Sequence, residues 1–193
     1  MAPVQQLVRY ICDQGASQAA WIGVDQLQVD ERFALMCKNP ECPSYGLSPG
    51  CPPHVMSPDA FKKMLKEYQH IVVFRIDMEQ HQLHTGHRKG VARLIHHFAA
   101  LVEQKALEVG YTAALGFGAG SCKELFCEQD ASCQVLAGGL CKHPDRARSS
   151  VSGVGIDVRA LCEVIGWQLS WLEESGGNKP VDMACMMGLT LVG

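Results

Sequence analysis

The feature that most constrains this chain is the grouping of its cysteines, because seven of the ten fall into two short segments. The first cysteine group is Cys37, Cys42 and Cys51, and the second cysteine group is Cys122, Cys127, Cys133 and Cys141. Thiolates are the protein ligands that select zinc, cuprous copper and iron-sulfur clusters. The fold is therefore expected to bring the sulfur atoms of two separate loops together around inorganic cofactors.

The first cysteine group lies in a segment that cannot form regular secondary structure. Residues 38–56 contain five prolines and two glycines. Proline lacks a backbone N–H and fixes φ, so this composition predicts a rigid loop. Three thiolates leave one ligand position open. We expect His54 or another cysteine (Cys162 or Cys185) to fill it, or one iron to stay free for a small molecule.

The second cysteine group supplies the four thiolates that either a four-iron cluster or a tetrahedral zinc ion needs. Its gaps of four, five and seven residues lack the close C-x2-C pairs typical of zinc ribbons. Gly116, Gly118 and Gly120 precede it, and glycine lets backbone N–H groups approach inorganic sulfide. The spacing favours one or two 4Fe-4S clusters. Structural zinc and redox-switching cysteines are the alternatives.

Composition bounds the class of protein. The chain has 193 residues, 47% apolar and 19% charged, which predicts one domain spanning residues 1–193. The net charge is −3 and the basic residues are scattered, so no nucleic-acid surface is expected. No segment reads as a membrane span or a signal peptide. We expect a cytoplasmic protein, where reducing conditions favour clustered cysteines as metal ligands.

The order of predicted elements indicates an α/β fold, a small mixed sheet flanked by helices with the two cysteine-rich metal-binding loops attached. Helices are predicted over residues 3–14, 57–68, 87–109, 128–137 and 157–174, and strands over residues 20–24, 71–76, 111–115 and 181–192. Ser57 is expected to cap the second helix, with Pro58 at its first position. Both cysteine groups then follow strands.

Segments around the cysteines carry a family resemblance. They are Cys37-x4-Cys42-Pro43-x-Tyr45-Gly46, Cys51-Pro52-Pro53-His54, Gly110-Tyr111, Ser121-Cys122-Lys123, Cys127, Cys133, Cys141-x-His143-Pro144-x-x-Ala147-Arg148 and Gly155-Ile156-Asp157-Val158. With these motifs the chain resembles the predicted metal-binding proteins named domain of unknown function 2284. The resemblance covers about residues 30–165 and implies cysteine-ligated metal, with iron-sulfur the favoured form and no assigned reaction.

Other polar residues are expected to be solvated or structural. His81, His84 and His87 recur every third residue, yet polar neighbours and Gly86 favour a solvent-facing helix start; His96 and His97 receive the same interpretation.

Arg146 and Arg148 could stabilise an anionic cluster, or pair with Asp145 and Asp157 at the surface. Cys12, Cys162 and Cys185 are expected to be buried hydrophobes, and Met183, Met186 and Met187 core fillers.

The leading hypothesis is an iron-sulfur protein that transfers electrons to a redox partner protein or small molecule, with a cluster on the second cysteine group and another metal site on the first. A second hypothesis is an enzyme that uses an open iron at the first group as a Lewis acid. A third is a zinc-stabilised interaction module.

Overall fold

A computed structural model describes residues 2–40, 42–169 and 183–193. Within these ranges the helices are α1 (Pro3–Asp13), α2 (Glu31–Leu35), α3 (Pro58–Met64), α4 (His87–Glu108), α5 (Cys122–Phe126) and α6 (Val158–Ile165). The strands are β1 (Gln18–Gly23), β2 (His70–Glu79), β3 (Ala114–Gly118), β4 (Ser149–Ser150) and β5 (Met183–Val192). Short 3-10 turns lie at Val24–Gln26, Leu65–Glu67, Gln80–His84 and Ser152–Val154.

The strands form one mixed sheet in the order β1-β2-β5-β3-β4. β2 pairs with β1 and β5 antiparallel, β5 pairs with β3 antiparallel, and β3 pairs with β4 parallel. The central position of β5 follows from its sequence. Leu191 lies opposite Ile71 on one side and Leu115 on the other, in a nearly continuous apolar run that needs cover on both faces.

Alternation along β2 divides the core into two layers. Val72 and Phe74 pack on one face of the sheet with α1 and α4, whereas Ile71 and Val73 pack on the other with α3 and α6. Successive strand side chains point to opposite faces, so two covered faces require apolar residues at every position. The result is a single compact α/β domain in three layers, as the order of predicted elements indicated.

The predicted helix starts are confirmed at atomic detail. The Ser57 hydroxyl accepts a hydrogen bond from the Ala60 N–H at 3.2 Å, and the Asp157 carboxylate accepts one from the Ala160 N–H at 3.0 Å. α4 spans 22 residues and buries Ile95, Phe98, Val102 and Ala106 of its predicted apolar stripe, whereas Leu94 is 47% exposed. α6 ends at Gly166 (φ +78°), where a left-handed backbone favours glycine.

Four element predictions are wrong. Residues 128–137 form turns rather than a helix; the Asp130 N–H donates to the Cys127 carbonyl at 3.0 Å, and Lys123 Nζ donates to the carbonyls of Cys127 and Asp130. The third strand covers Ala114–Gly118 rather than residues 111–115. The last helix ends at Ile165, and residues 167–169 are not helical. The first cysteine group follows α2 rather than a strand. The predicted helix over residues 170–174, and positions 181 and 182 of the last strand, lie outside the described ranges.

None of the helices in the part of the chain that the structure describes combines the length and apolar character needed to cross a membrane.

Candidate metal centre

All four cysteines of the second cysteine group line one cavity of about 260 Å³. Cys122 begins α5 and Cys127 follows its last residue, while Cys133 and Cys141 come from the turn-rich segment beyond. About 10–15 Å³ of accessible volume holds one water molecule, so this cavity has room for a cofactor of many atoms. Sequence reasoning grouped these four residues, and the fold places them around one space.

Burial makes Cys122 and Cys127 weaker acids than an exposed cysteine. Burial raises the pKa of Cys122 to about 11; a hydrogen bond from Ser48 opposes this, and the charges of Cys51, Cys133 and Cys141 add to it. Burial and the Asp130 charge likewise raise the pKa of Cys127. A metal must therefore displace protons to bind here, and its binding free energy must exceed the free energy needed to deprotonate the thiols.

Lysine side chains hold the loop that carries Cys127. Lys123 Nζ donates to the carbonyl oxygens of Cys127 at 2.6 Å and Asp130 at 2.7 Å. Lys142 Nζ donates to the Asp130 carboxylate at 2.8 Å, which links the segments before Cys133 and after Cys141. Both hydrogen bonds of the Lys123 ammonium group are therefore to backbone carbonyl oxygens. Two positive charges thus lie within a site where thiolates would bring negative charge.

An ion pair from α4 fixes the far wall of the cavity. Arg148 Nε donates to both Glu103 carboxylate oxygens at 2.9 Å, and its Nη2 donates to Oε2 at 2.5 Å. The same carboxylate accepts the Gly116 N–H. The pairing of Arg148 with Asp145 or Asp157 that we expected is wrong. Arg146 does pair with Asp145, at 2.8 Å.

His96 is buried, which corrects the expectation that it faces solvent. Its Nε2–H donates to the Ala119 carbonyl at 3.2 Å, and its Nδ1 accepts the Arg148 N–H at 3.1 Å. A carbonyl only accepts and an amide only donates, so the contacts assign the neutral Nε2–H tautomer. Burial lowers the pKa of His96 to about 4, and the Arg148 charge lowers it further.

The spacing of α4 carried a signal for this burial that the sequence interpretation missed. His96 stands four residues after Ala92 and three before Ala99, on the stripe that faces the sheet. His97, its neighbour, is exposed as expected.

Gly116 and Gly118, two of the three glycines before Cys122, allow close packing, whereas a Cβ on Gly120 would meet nothing within 4 Å. A Cβ on Gly116 would lie 2.9 Å from the Ala99 Cβ, and one on Gly118 would lie 2.6 Å from the His96 ring. Both glycines belong to β3, where they let the strand approach α4. The expectation that their N–H groups reach inorganic sulfide is wrong for Gly116, whose N–H donates to Glu103.

The first cysteine group is gathered by the backbone of its own loop. The Cys42 N–H donates to the Cys37 carbonyl at 3.0 Å, and the Gly46 N–H donates to the Pro52 carbonyl at 2.8 Å. Burial raises the pKa of Cys37, and the charges of Cys42 and Cys51 raise it further. Cys51 itself is buried.

His54 follows this group and is exposed. Its backbone N–H donates to the Cys51 carbonyl at 3.0 Å, so the residue is tied to the loop through its main chain. Its role as the fourth ligand stays a prediction.

The remaining candidates agree in part with the sequence interpretation. Cys162 is buried, with its thiol 4.0 Å from the Met187 sulfur. Cys12 is exposed on α1, which corrects the expectation that it is buried. His81, His84 and His87 are exposed as expected, and His81 lies 3.1 Å from Glu79.

Within residues 2–40, 42–169 and 183–193, no three histidine, cysteine, aspartate or glutamate side chains converge closely enough to hold a single metal ion. The residue types suit an iron-sulfur cluster, because four cysteines, whose thiolates are soft ligands, line one cavity with room for many atoms. Ligation by either cysteine group stays a prediction.

Comparison with known proteins gives one match. No curated protein and no solved structure matches the chain. A family model described as predicted metal-binding protein (DUF2284) matches residues 20–192. The match includes both cysteine groups, all five strands except the first two residues of β1, and the ion pair that fixes the cavity wall. On this evidence the chain belongs to the DUF2284 family of predicted metal-binding proteins.

Proposed function

We propose that this protein is an iron-sulfur protein that exchanges single electrons with a redox partner, either a protein or a small molecule. A 4Fe-4S cluster would be held by the second cysteine group: Cys122, Cys127, Cys133 and Cys141. A second metal site would be held by the first cysteine group with His54. The observation that carries the proposal is the cavity of about 260 Å³ lined by all four second-group cysteines.

The polar residues around the cavity suit an anionic cofactor. A thiolate-ligated four-iron cluster, when bound, supplies one-electron exchange at a potential set by charge, hydrogen bonds and burial. Lys123 and Lys142 would offset part of its negative charge while holding the loop that carries Cys127. These cations favour the reduced state, because reduction adds negative charge.

Aromatic packing shields one side of the site. The Phe126 ring lies 5.5 Å from the His96 ring and 5.7 Å from the His143 ring, centroid to centroid, and Phe126 and His143 line the cavity. An apolar wall excludes water and lowers the local dielectric constant, which protects inorganic sulfide and tunes a redox potential.

All ten cysteines are free thiols. Metal ligation requires reduced cysteines, and the cytoplasm keeps them reduced. We therefore propose a cytoplasmic location.

The test is anaerobic purification followed by assays of iron, zinc and acid-labile sulfide on the same sample. We expect a brown protein with equal iron and sulfide, whose visible absorbance bleaches on reduction with dithionite and whose reduced form gives an electron paramagnetic resonance (EPR) signal. A colourless protein that contains zinc and no sulfide would reject the proposal in favour of a structural metal module.

A further inference from the structure

One sulfur of the second cysteine group accepts a hydrogen bond from the main chain. The His143 N–H donates to the Cys141 Sγ at 3.4 Å, a longer distance than to oxygen because sulfur is the larger atom. Cys141 and His143 are both half-buried, and both line the cavity that the second-group cysteines share. The bond therefore acts on a proposed cluster ligand at the cavity wall.

A turn that begins at His143 fixes the direction of this N–H. The His143 carbonyl accepts the Ala147 N–H at 2.8 Å and the Arg146 N–H at 3.2 Å. Pro144 comes next in the chain, and proline fixes its own φ and restricts the backbone of the residue before it. The N–H is thus held toward the Cys141 sulfur by backbone contacts that need no metal.

Side chains of two helices hold the same turn. Arg148 Nη1 donates to the Pro144 carbonyl at 3.1 Å, and the ion pair with Glu103 anchors Arg148 to α4. The His143 ring packs on the ring of Phe126, the last residue of α5, with 5.7 Å between the ring centroids. Contacts with α4 and α5 therefore fix the position of the donor.

A hydrogen bond to a ligand sulfur favours the more negatively charged state of a cluster. Reduction adds one electron, and part of the added charge falls on the thiolate ligands. A hydrogen bond to an acceptor strengthens as the negative charge on that acceptor grows. The N–H···S bond is accordingly stronger in the reduced form, and such bonds are among the factors that set a cluster's potential.

We propose that the His143 N–H, acting through the Cys141 sulfur, raises the reduction potential of the cluster held by the second cysteine group. This inference rests on the proposed function. An external reductant donates one electron to the bound cluster, and no bond of the protein forms or breaks. His143 is a positioning residue here, because its backbone supplies the donor and its ring only helps to hold that donor in place.

The test compares two substitutions at one position. His143→Ala keeps the N–H, His143→Pro removes it, and both lack the ring, so the difference between them reports the hydrogen bond. Redox titration of anaerobically prepared protein, followed by EPR, measures each potential. We expect reduction of His143→Pro to be about tenfold less favourable, a shift of ~59 mV to more negative potential for one electron. Equal potentials in the two variants would overturn the inference and leave the proposed function intact.

A second measurement needs no proline variant and decides the case in which His143→Pro does not fold or holds no cluster. Pulsed EPR of the reduced wild-type protein, grown with histidine whose amide nitrogen is isotopically labelled, should show magnetic coupling between the cluster spin and that nitrogen. The coupling should disappear in His143→Ala grown with the same histidine. A wild-type spectrum without it, or a coupling that persists in His143→Ala, would overturn the inference. Wild-type protein without iron or sulfide would overturn both the inference and the proposed function.

Discussion

The two cysteine loops are held in place by different means. The first is shaped by its own backbone, as in the 3.0 Å bond from the Cys42 N–H to the Cys37 carbonyl. The second is held largely by side chains of a distant helix, α4. Arg93 of α4 donates to the Leu125 carbonyl at 2.7 Å, and Glu103 of the same helix pairs with Arg148.

This difference implies different sensitivities. A loop defined by prolines and local turns keeps its shape when residues elsewhere change. The second loop depends on α4, so substitutions in that helix should disturb the cavity although they remove no ligand. The predictions below test this contrast from the largest expected effect to the smallest.

Removal of a second-group thiol should have the largest effect. In Cys133→Ser we expect the loss of the second-group cluster together with its iron and sulfide, because a cubane needs four ligands. Cys12→Ser, at an exposed position on α1, should keep the wild-type content. Iron and sulfide assays on anaerobic protein provide the measurement. Unchanged content in Cys133→Ser would remove this residue from the ligand set.

Breaking the ion pair between α4 and the cavity wall should come next. The Arg148 and Glu103 side chains are 14% and 18% exposed, so Glu103→Ala leaves a largely buried cation and should lower the free energy of unfolding by about 3 kcal/mol. Glu108→Ala breaks a more exposed pair with Lys105 on the same helix and should cost about 0.5 kcal/mol or less. Urea unfolding compares the two. Equal effects would contradict the special dependence on Glu103.

Protonation of His96 should make the second loop sensitive to acid. Burial lowers the pKa of His96 to about 4, below the ordinary value of 6.5, so the unfolded chain binds the proton more readily. The stabilisation is therefore complete above pH 6.5 and is lost as the pH falls toward 4, on the order of 3 kcal/mol in all. In His96→Gln this part of the pH dependence should vanish.

The control for His96 is its neighbour. His97→Gln, at an exposed position, should keep the wild-type dependence of unfolding free energy on pH between 6.5 and 4. If both variants follow the wild-type curve, His96 does not couple acid to the stability of the loop.

The smallest effect concerns the close approach of β3 to α4. A Cβ on Gly118 would lie 2.6 Å from the His96 ring, so Gly118→Ala should destabilise the protein by about 1–3 kcal/mol. A Cβ on Gly90, in the first turn of α4, meets nothing within 4 Å, and Gly90→Ala should stabilise it by up to about 1 kcal/mol. Thermal unfolding should show shifts of opposite sign. A rise for Gly118→Ala would mean that the strand is not tightly fitted.

Local patterns predicted much of the fold and the composition of the candidate site. The apolar runs of β2 and β5 indicated strands, and Ser57 marked a helix start because capping involves residues only three apart. Failures arose where a residue from another element decides the outcome. The role of Gly116 depended on Ala99 of α4, which a Cβ on Gly116 would approach to 2.9 Å.

The sequence by itself determined the ligand chemistry, the proline-rich loop around Cys37 and the α/β class, because residue type and short-range spacing decide these properties. Only the tertiary structure decided that the four second-group cysteines line one cavity, that His96 is buried, and that Ser48 of the first loop contacts Ser121 beside Cys122. Such features depend on contacts between residues far apart in the chain, and no local pattern encodes which distant side chain will fill a given space.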